Sequence, residues 1–354
     1  MLGVLHVIDA PTRRDSLAQL AALRRPNDRV VSVGPPPQAL SASPLPVRAV
    51  HCPMGLARLG GMVLQKRTLK TSLIHAWSLF AAAAGAVAAE RQNLPLLLSL
   101  GHLPGPHATR GLCKESARDG YSLTVPTAHA RGALVAAGAN AEAVHVLPPA
   151  ARLVDRSDAG RLRARRAFGL EEGHFAIVAL GDMTRGAGHK SAVWAHALVT
   201  HLRSEVRLVL PRRGSGLSQV QRFAKAGGLD HAVLLAPRDT QLADLLAAAD
   251  VATLLCDRDC GVGDLAAALA AGVPVVASRT PDIVNCTGGG KAAMLVDRGN
   301  AQTAAANVLS LVEGPRLAAD LAHRARTFAQ AAFDRDAVRC RLDEIYTVVK
   351  TART

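Results

Sequence analysis

Leu245–Ser278, LLAAADVATLLCDRDCGVGDLAAALAAGVPVVAS, carries more structural information than any other stretch of this chain. Its apolar runs and breakers predict a short helix ending at Asp250, a strand over Val251–Leu255 and a Gly-punctuated loop. A helix over Asp264–Ala271, then Gly272 and a second strand, complete the pattern. Strand, loop, helix N-terminus and strand form the unit with which alternating α/β proteins hold a phosphate. The first-turn N–H groups have no partner inside the helix and carry the positive end of its dipole.

The alternation extends in both directions. Upstream, strands are expected over Leu2–Ile8, Arg29–Val33, Leu73–Ala76, Leu96–Leu100, Tyr121–Pro126 and Ala143–Leu147, most of them separated by helical patterns. A second series starts with a basic helix over Asp158–Phe168 and continues through strands over Ala176–Leu180, Val206–Leu210 and Ala232–Leu235. Strands alternating with helices argue for parallel sheets with helical crossovers. The 354 residues exceed what one core comfortably holds. The expected fold class is therefore α/β with two Rossmann-like domains, residues 1–150 and 158–335, facing across a cleft that is the default ligand site. The tail is helical, with a break near Phe333-Asp334.

Composition narrows the function classes. Aromatic residues make up only 3%, against a base-stacking surface for single-stranded nucleic acid. The net charge is +14, of which +8 falls in the first 150 residues, 15 Lys and Arg against 7 Asp and Glu. Such an excess suits a solvated Arg-rich surface, an anionic membrane or a phosphorylated ligand. The six Cys show no paired metal spacing, so no metal site is expected and the chain reads as cytoplasmic and reduced. The longest apolar run, Leu79–Ala89, is 11 residues, too short to span a bilayer. The N-terminus reads as a strand and lacks the basic flank and cleavage site of a signal peptide. Gly55–Lys70, GLARLGGMVLQKRTLK, has a basic amphipathic pattern. It fits either a core-facing helix or weak peripheral contact with an anionic membrane. Gly288-Gly289-Gly290-Lys291 lacks the preceding Gly and following Ser or Thr of a phosphate loop and reads as a turn.

The opening segment resembles the donor-sugar segment of family-4 (group 1) glycosyltransferases of the GT-B fold. That family writes a first Glu, Gly-Phe-Gly, a second Glu, then Ala-x-Ala-x-Gly-x-Pro-Val-Val. Anchored on Ala270-Ala271-Gly272-Val273-Pro274-Val275-Val276, the first acid falls on Asp259, the second on Ala267, and the Gly-Phe-Gly on Cys260-Gly261-Val262, with Gly263 next. The likeness is colinear elsewhere: Ile74-His75-Ala76-Trp77-Ser78, Val125-Pro126-Thr127, Gly169-Leu170, and Pro281-Asp282-Ile283-Val284.

The resemblance implies a retaining transfer of a sugar from a nucleoside-diphosphate donor, with no further cofactor, to an acceptor left open. It also implies that a helix at about 336–354 packs back on the first domain, which would be the acceptor side. In the family an Arg and a Lys after the second domain's first strand neutralise the diphosphate. Without gaps they fall on Asp182 and Ala187, and Arg185 and Lys190 in the same loop either take over or face solvent. Donor contacts are therefore assigned to Arg185, Lys190, Cys260, Gly261, Val262 and Gly263. The reacting end is assigned to Asp259 and His102, the latter beside the family's His position at Gly101. On the acceptor side Arg13, Arg14 and His75 are candidates, and Asp264 reads as a helix N-cap. Several site positions depart from the family together, which favours an alternative: an inactive GT-B relative acting as a binding or regulatory module.

Overall fold

The structure, a computed structural model, describes residues 3–9, 12, 14–37, 47–50, 61–62, 64, 71–151, 154–238, 240–258 and 260–352. The chain divides into two compact units, Met1–Ala150 with Arg335–Thr354, and Ala151–Asp334.

The first unit holds seven strands: β1 (Gly3–Ile8), β2 (Arg29–Val33), β3 (Val47–Val50), β4 (Thr71–Ala76), β5 (Leu96–Ser99), β6 (Tyr121–Val125) and β7 (Val144–Val146). Their order is β3-β2-β1-β4-β5-β6-β7, all parallel. Side chains alternate across a strand, so β1 feeds two cores. Leu5 and Val7 join one core with Leu98, Leu123 and Leu134. Val4 points the other way, to Leu73, Leu97, Leu147 and the helix Arg335–Thr351. That helix presents Val338, Leu342, Ile345, Tyr346 and Val349 on one stripe, the spacing of a single helical face.

The helix Leu79–Gln92 shows how sequence fixes an element here. Ser78 caps it by accepting from the Ala81 N–H, and Asn93 stops it in the left-handed conformation at φ 50°. Its buried side chains are Ala and Gly, so it lies close to the sheet. A Cβ on Gly85 would stand 3.2 Å from both Ile74 and Leu96.

The second unit holds β8 (Phe175–Ala179), β9 (Val206–Leu210), β10 (Val233–Leu235), β11 (Val251–Leu254), β12 (Val275–Ser278) and β13 (Met294–Val296). The order is β10-β9-β8-β11-β12-β13, again all parallel. Ala176 and Val178 face one core while Ile177 and Ala179 face the other, so both faces of the sheet are covered.

The basic helix Asp158–Ala167 turns part of its charge inward. Arg161 and Arg165 pair with Asp250. Arg156 donates to the carbonyls of Leu246 (2.7 Å) and Ala249 (3.1 Å), at the negative end of the helix Leu242–Ala248.

Two helices were not anticipated as such, Pro106–Glu115 and Pro281–Cys286. The first buries only Leu112, and so gives no apolar period to read. Of the Gly55–Lys70 segment only Gly61, Met62 and Leu64 are described; the rest lies outside the described residues. All three are helical. Leu64 is buried, Met62 is exposed, and a Cβ on Gly61 would stand 2.5 Å from Val87 Cβ.

Candidate functional site

In the second sheet the strand order reverses between β8 and β11. Crossovers leave these two strands in opposite directions, opening a crevice beyond their carboxyl ends where ligands of such sheets bind. The loops at that crevice are residues 180–188 and 255–261.

The two loops are stitched together. The Gly181 N–H donates to Oδ2 of Asp264 at 2.9 Å. The Asp257 N–H donates to the Gly186 carbonyl at 3.0 Å, and the Arg258 guanidinium to the Arg185 carbonyl at 2.8 Å. Gly188 makes the closest approach. Its φ is +79°, and a Cβ there would lie 1.7 Å from the Leu255 carbonyl oxygen, so only glycine fits.

The helix Val262–Ala270 begins at this crevice. Its N-cap is Gly261 at φ 69°, and no side chain caps it. A helix start without a side-chain cap is an arrangement that suits an anion. Asp264 is not the cap expected from the sequence: it sits one turn inside, buried, and ties the helix to Gly181.

Around these loops the cations outnumber the acids. Arg185 and Lys190 are both exposed, and the Lys190 ammonium lies 5.9 Å from the Phe223 ring centroid. Arg258 and Arg298 are anchored by their contacts to the Arg185 and Asp257 carbonyls. Asp182 faces Arg213 of the next loop. Cys260 and Val262 are buried and Gly263 is half-buried. Ala187 and Ala267, where the ungapped resemblance would put a Lys and the second Glu, are buried and offer no polar group. Asp259 lies outside the described residues. Among the described residues no His, Cys, Asp and Glu side chains group as a metal site.

In the first sheet the reversal falls between β1 and β4. Asp9, at the end of β1, is buried and fully engaged: it accepts from Ser78 Oγ at 2.6 Å and from Thr12 Oγ1 at 2.7 Å. Arg13 lies outside the described residues. Arg14 opens the helix Arg14–Leu23. His102 is half-buried in the loop after β5.

His75 is in the sheet interior. It pairs with His6 in the β1–β4 register, which puts both rings on one face, centroids 5.3 Å apart. Its Nδ1 meets the Tyr346 hydroxyl at 2.8 Å and its Nε2 meets Ser99 Oγ at 2.7 Å, while Trp77 stacks on the ring. Burial holds its pKa well below the usual value, so the ring is neutral. With both nitrogens engaged and no exposed surface, His75 is a structural residue here and not an acceptor contact.

Arg185, Cys260 and Gly261 thus lie on the two loops of this crevice, Val262 and Gly263 at the start of the adjoining helix, and Lys190 in the first turn of the helix His189–Leu202. The sequence reading passed over Arg213 and Arg258. The signal for Arg213 was present, an Arg-Arg pair between Pro211 and Gly214 directly after a strand.

Comparison with known proteins agrees with this geometry. Residues 174–314 match the model of the glycosyl transferases group 1 family. A D-inositol 3-phosphate glycosyltransferase of Pseudarthrobacter chlorophenolicus is 27% identical over 243 residues, covering 66% of this chain and 58% of the relative. A protein of the same name from an Arthrobacter species is 28% identical over 221 residues, covering 60% and 52%. The match thus spans little more than half the length of these curated relatives. Among solved structures, Anabaena HepE in complex with UDP and glucose superposes with a TM-score of 0.84 at 18% identity, over 98% of this chain and 100% of that one. At that identity the likeness speaks for the fold alone. Residues 174–314, within the second unit, are thus similar to the group 1 glycosyltransferases, and the two units have the Rossmann-like form of the GT-B fold.

Proposed function

We propose that this chain binds a nucleoside-diphosphate sugar at the carboxyl edge of the second sheet and transfers the sugar, with retention, to an acceptor. The observation that carries this reading is the crevice itself. Two stitched loops, a glycine-capped helix start and an excess of Arg and Lys meet at the switch point. Sugar transfer from such a donor expels a nucleoside diphosphate, and preorganised N–H groups and cations stabilise the charge that develops on it. HepE holds UDP and glucose, which supports a uridine donor as the first to test. Arg185 and Lys190 are the assigned donor contacts, with Asp259 and His102 at the reacting end. An anionic acceptor suits Arg13 and Arg14, and the curated relatives are named for one, D-inositol 3-phosphate.

A specific observation favours a second reading, a binding module without turnover. Asp182, Ala187 and Ala267 stand where the family's two cations and ribose-binding acid are implied. Hydrogen bonds to charged groups contribute about 1.5–3 kcal/mol each, so losing three uncompensated ones removes roughly 4–9 kcal/mol. A micromolar ligand has only about 8 kcal/mol of binding free energy.

Calorimetry with UDP, GDP and ADP at low salt, followed by a donor-hydrolysis assay, tests both readings. Binding of one diphosphate tighter than about 100 µM, roughly 5.5 kcal/mol, with turnover of the matching sugar nucleotide, is the expected result. Binding without turnover selects the module. No binding of any of the three by folded protein rejects a nucleotide site.

A further inference from the structure

Asp182 is the awkward residue of the crevice: on the ungapped reading it replaces a clamp arginine, and a bare carboxylate there repels a diphosphate. Its surroundings answer that objection. Arg213, on the loop after β9, brings Nε to 3.7 Å from Asp182 Oδ1. That oxygen is buried and has no hydrogen-bond partner among the described residues, so the contact is a charge pairing and not a hydrogen bond. It leaves the Arg213 fork uncommitted to Asp182, and the side chain keeps 26% of its surface.

The loop that carries Arg213 is held firmly against the β8 loop. The Met183 N–H donates to the Arg213 carbonyl at 2.8 Å, and the Gly216 N–H to the Met183 carbonyl at 2.7 Å. Gly214, at φ +113°, approaches so closely that a Cβ would lie 2.3 Å from the Met183 carbonyl oxygen. The approach of β9 to β8 sets this up, since the strands pair in register as Val178↔Val209.

We propose that Arg213 is a relocated member of the diphosphate clamp: the β9 loop supplies a cation in place of the one that Asp182 replaces on the ungapped reading, beside Arg185 and Lys190, and Asp182 is the carboxylate that positions it. The ligand class is the pyrophosphate of a nucleoside diphosphate, so the inference rests on the nucleotide-sugar reading above. A guanidinium suits the role because its planar fork offers two parallel donors to adjacent phosphate oxygens. Removing it takes away those donors and leaves Asp182 as an unpaired charge facing the ligand.

The test is calorimetry with whichever of UDP, GDP or ADP the wild type binds, alongside the matching nucleoside without phosphates. Arg213→Gln is expected to weaken the diphosphate roughly 10- to 100-fold while leaving the nucleoside unchanged. Adding Asp182→Arg to Arg213→Gln puts the cation back at the family's position and is expected to recover most of the loss. Arg213→Lys keeps the charge without the fork, and its expected affinity is intermediate; it serves if the glutamine variant does not fold. Unchanged diphosphate affinity in a folded Arg213→Gln or Arg213→Lys protein overturns the inference while leaving the nucleotide reading intact. Equal weakening of nucleoside and diphosphate overturns it too, by showing that Arg213 only shapes the loop. If the wild type binds no diphosphate, the nucleotide reading falls and the inference with it.

Discussion

At the scale of single residues, the buried histidines set how this protein responds to acid. His196 donates Nε2–H to the Ala232 carbonyl at 3.1 Å, and burial pushes its pKa down to about 4. Burial also lowers His6, although Asp28 beside it pulls the other way. For Asp28, burial acts upward, but hydrogen bonds from His6, Arg25 and Val4 outweigh it and the net shift is downward. In the unfolded chain each histidine takes up its proton near pH 6.5. Stability is therefore full above that value and falls as the pH drops towards the folded pKa, by about 1.4 kcal/mol per unit for each neutral histidine. Asp28 acts in the same direction, its contribution being lost as pH falls through its lowered folded value. Urea unfolding at pH 8, 6 and 5 is expected to show this loss, with a slope shallower by about one proton in His196→Gln. A stability unchanged from pH 6.5 to 5 contradicts the assignment.

The histidines also mark the limit of what could be read in advance. His75 was visible as a strand-end residue, but its partner Tyr346 lies 271 positions away, and only the fold shows that its ring is fully occupied. Arg213 was visible as one of an Arg-Arg pair after a strand, but what it faces was not. Nothing local says that the loop after one strand touches the loop after its neighbour; that adjacency is created by the parallel order β9-β8.

Elements were easier. Strands buried on both faces read as short, mainly apolar runs, which is why β1, β2, β9 and β11 appear in the sequence nearly where the structure has them. Element starts set by glycine were harder. The helix after β8 begins at His189, behind Gly188 in a left-handed conformation and with no side-chain cap to mark its start. Two glycines of similar φ separate conformational strain from close approach. Gly169, at φ +70°, has nothing within 4 Å of where a Cβ would stand, so Gly169→Ala meets only the left-handed penalty, roughly 1–2 kcal/mol. Gly188→Ala adds a collision with the Leu255 backbone and is expected to cost at least about 1 kcal/mol more, within the 1–3 kcal/mol range of overpacking. On the proposed function it should also abolish nucleotide binding. Chemical denaturation of both variants checks this, and equal destabilisation would mean the loops part freely.

For the molecule as a whole, the +14 charge was legible but its use was not. Arg156, Arg161 and Arg165 are committed to Asp250 and to helix-end carbonyls, so part of the excess is structural. Among the described residues no helix is long and apolar enough to cross a membrane. The division into two units has a sharper consequence for stability. Val338, Leu342, Ile345, Tyr346 and Val349 are buried in the first unit. Burying each contributes about 1.5–3 kcal/mol, so together they match the roughly 5–15 kcal/mol that stabilises a typical domain. A variant ending at Asp334 is expected to lose the first unit's cooperative melting while the second unit's transition persists in calorimetry. Two unchanged transitions would show that the helix is dispensable.

Because the first unit is made of two separated stretches of chain, the order of synthesis cannot be the order of completion. As the polypeptide leaves the ribosome, Met1–Ala150 emerges first and waits, its slot of Val4, Leu73, Leu97 and Leu147 open to water, while all of Ala151–Asp334 is translated. The second unit, contiguous in sequence, is the first that can be finished, and the earlier-made half is sealed only when Arg335–Thr351 arrives. The nascent protein therefore carries an uncovered greasy groove for the time needed to add some two hundred residues, roughly 10–40 s at typical elongation rates, and that interval is where a chaperone would find its work.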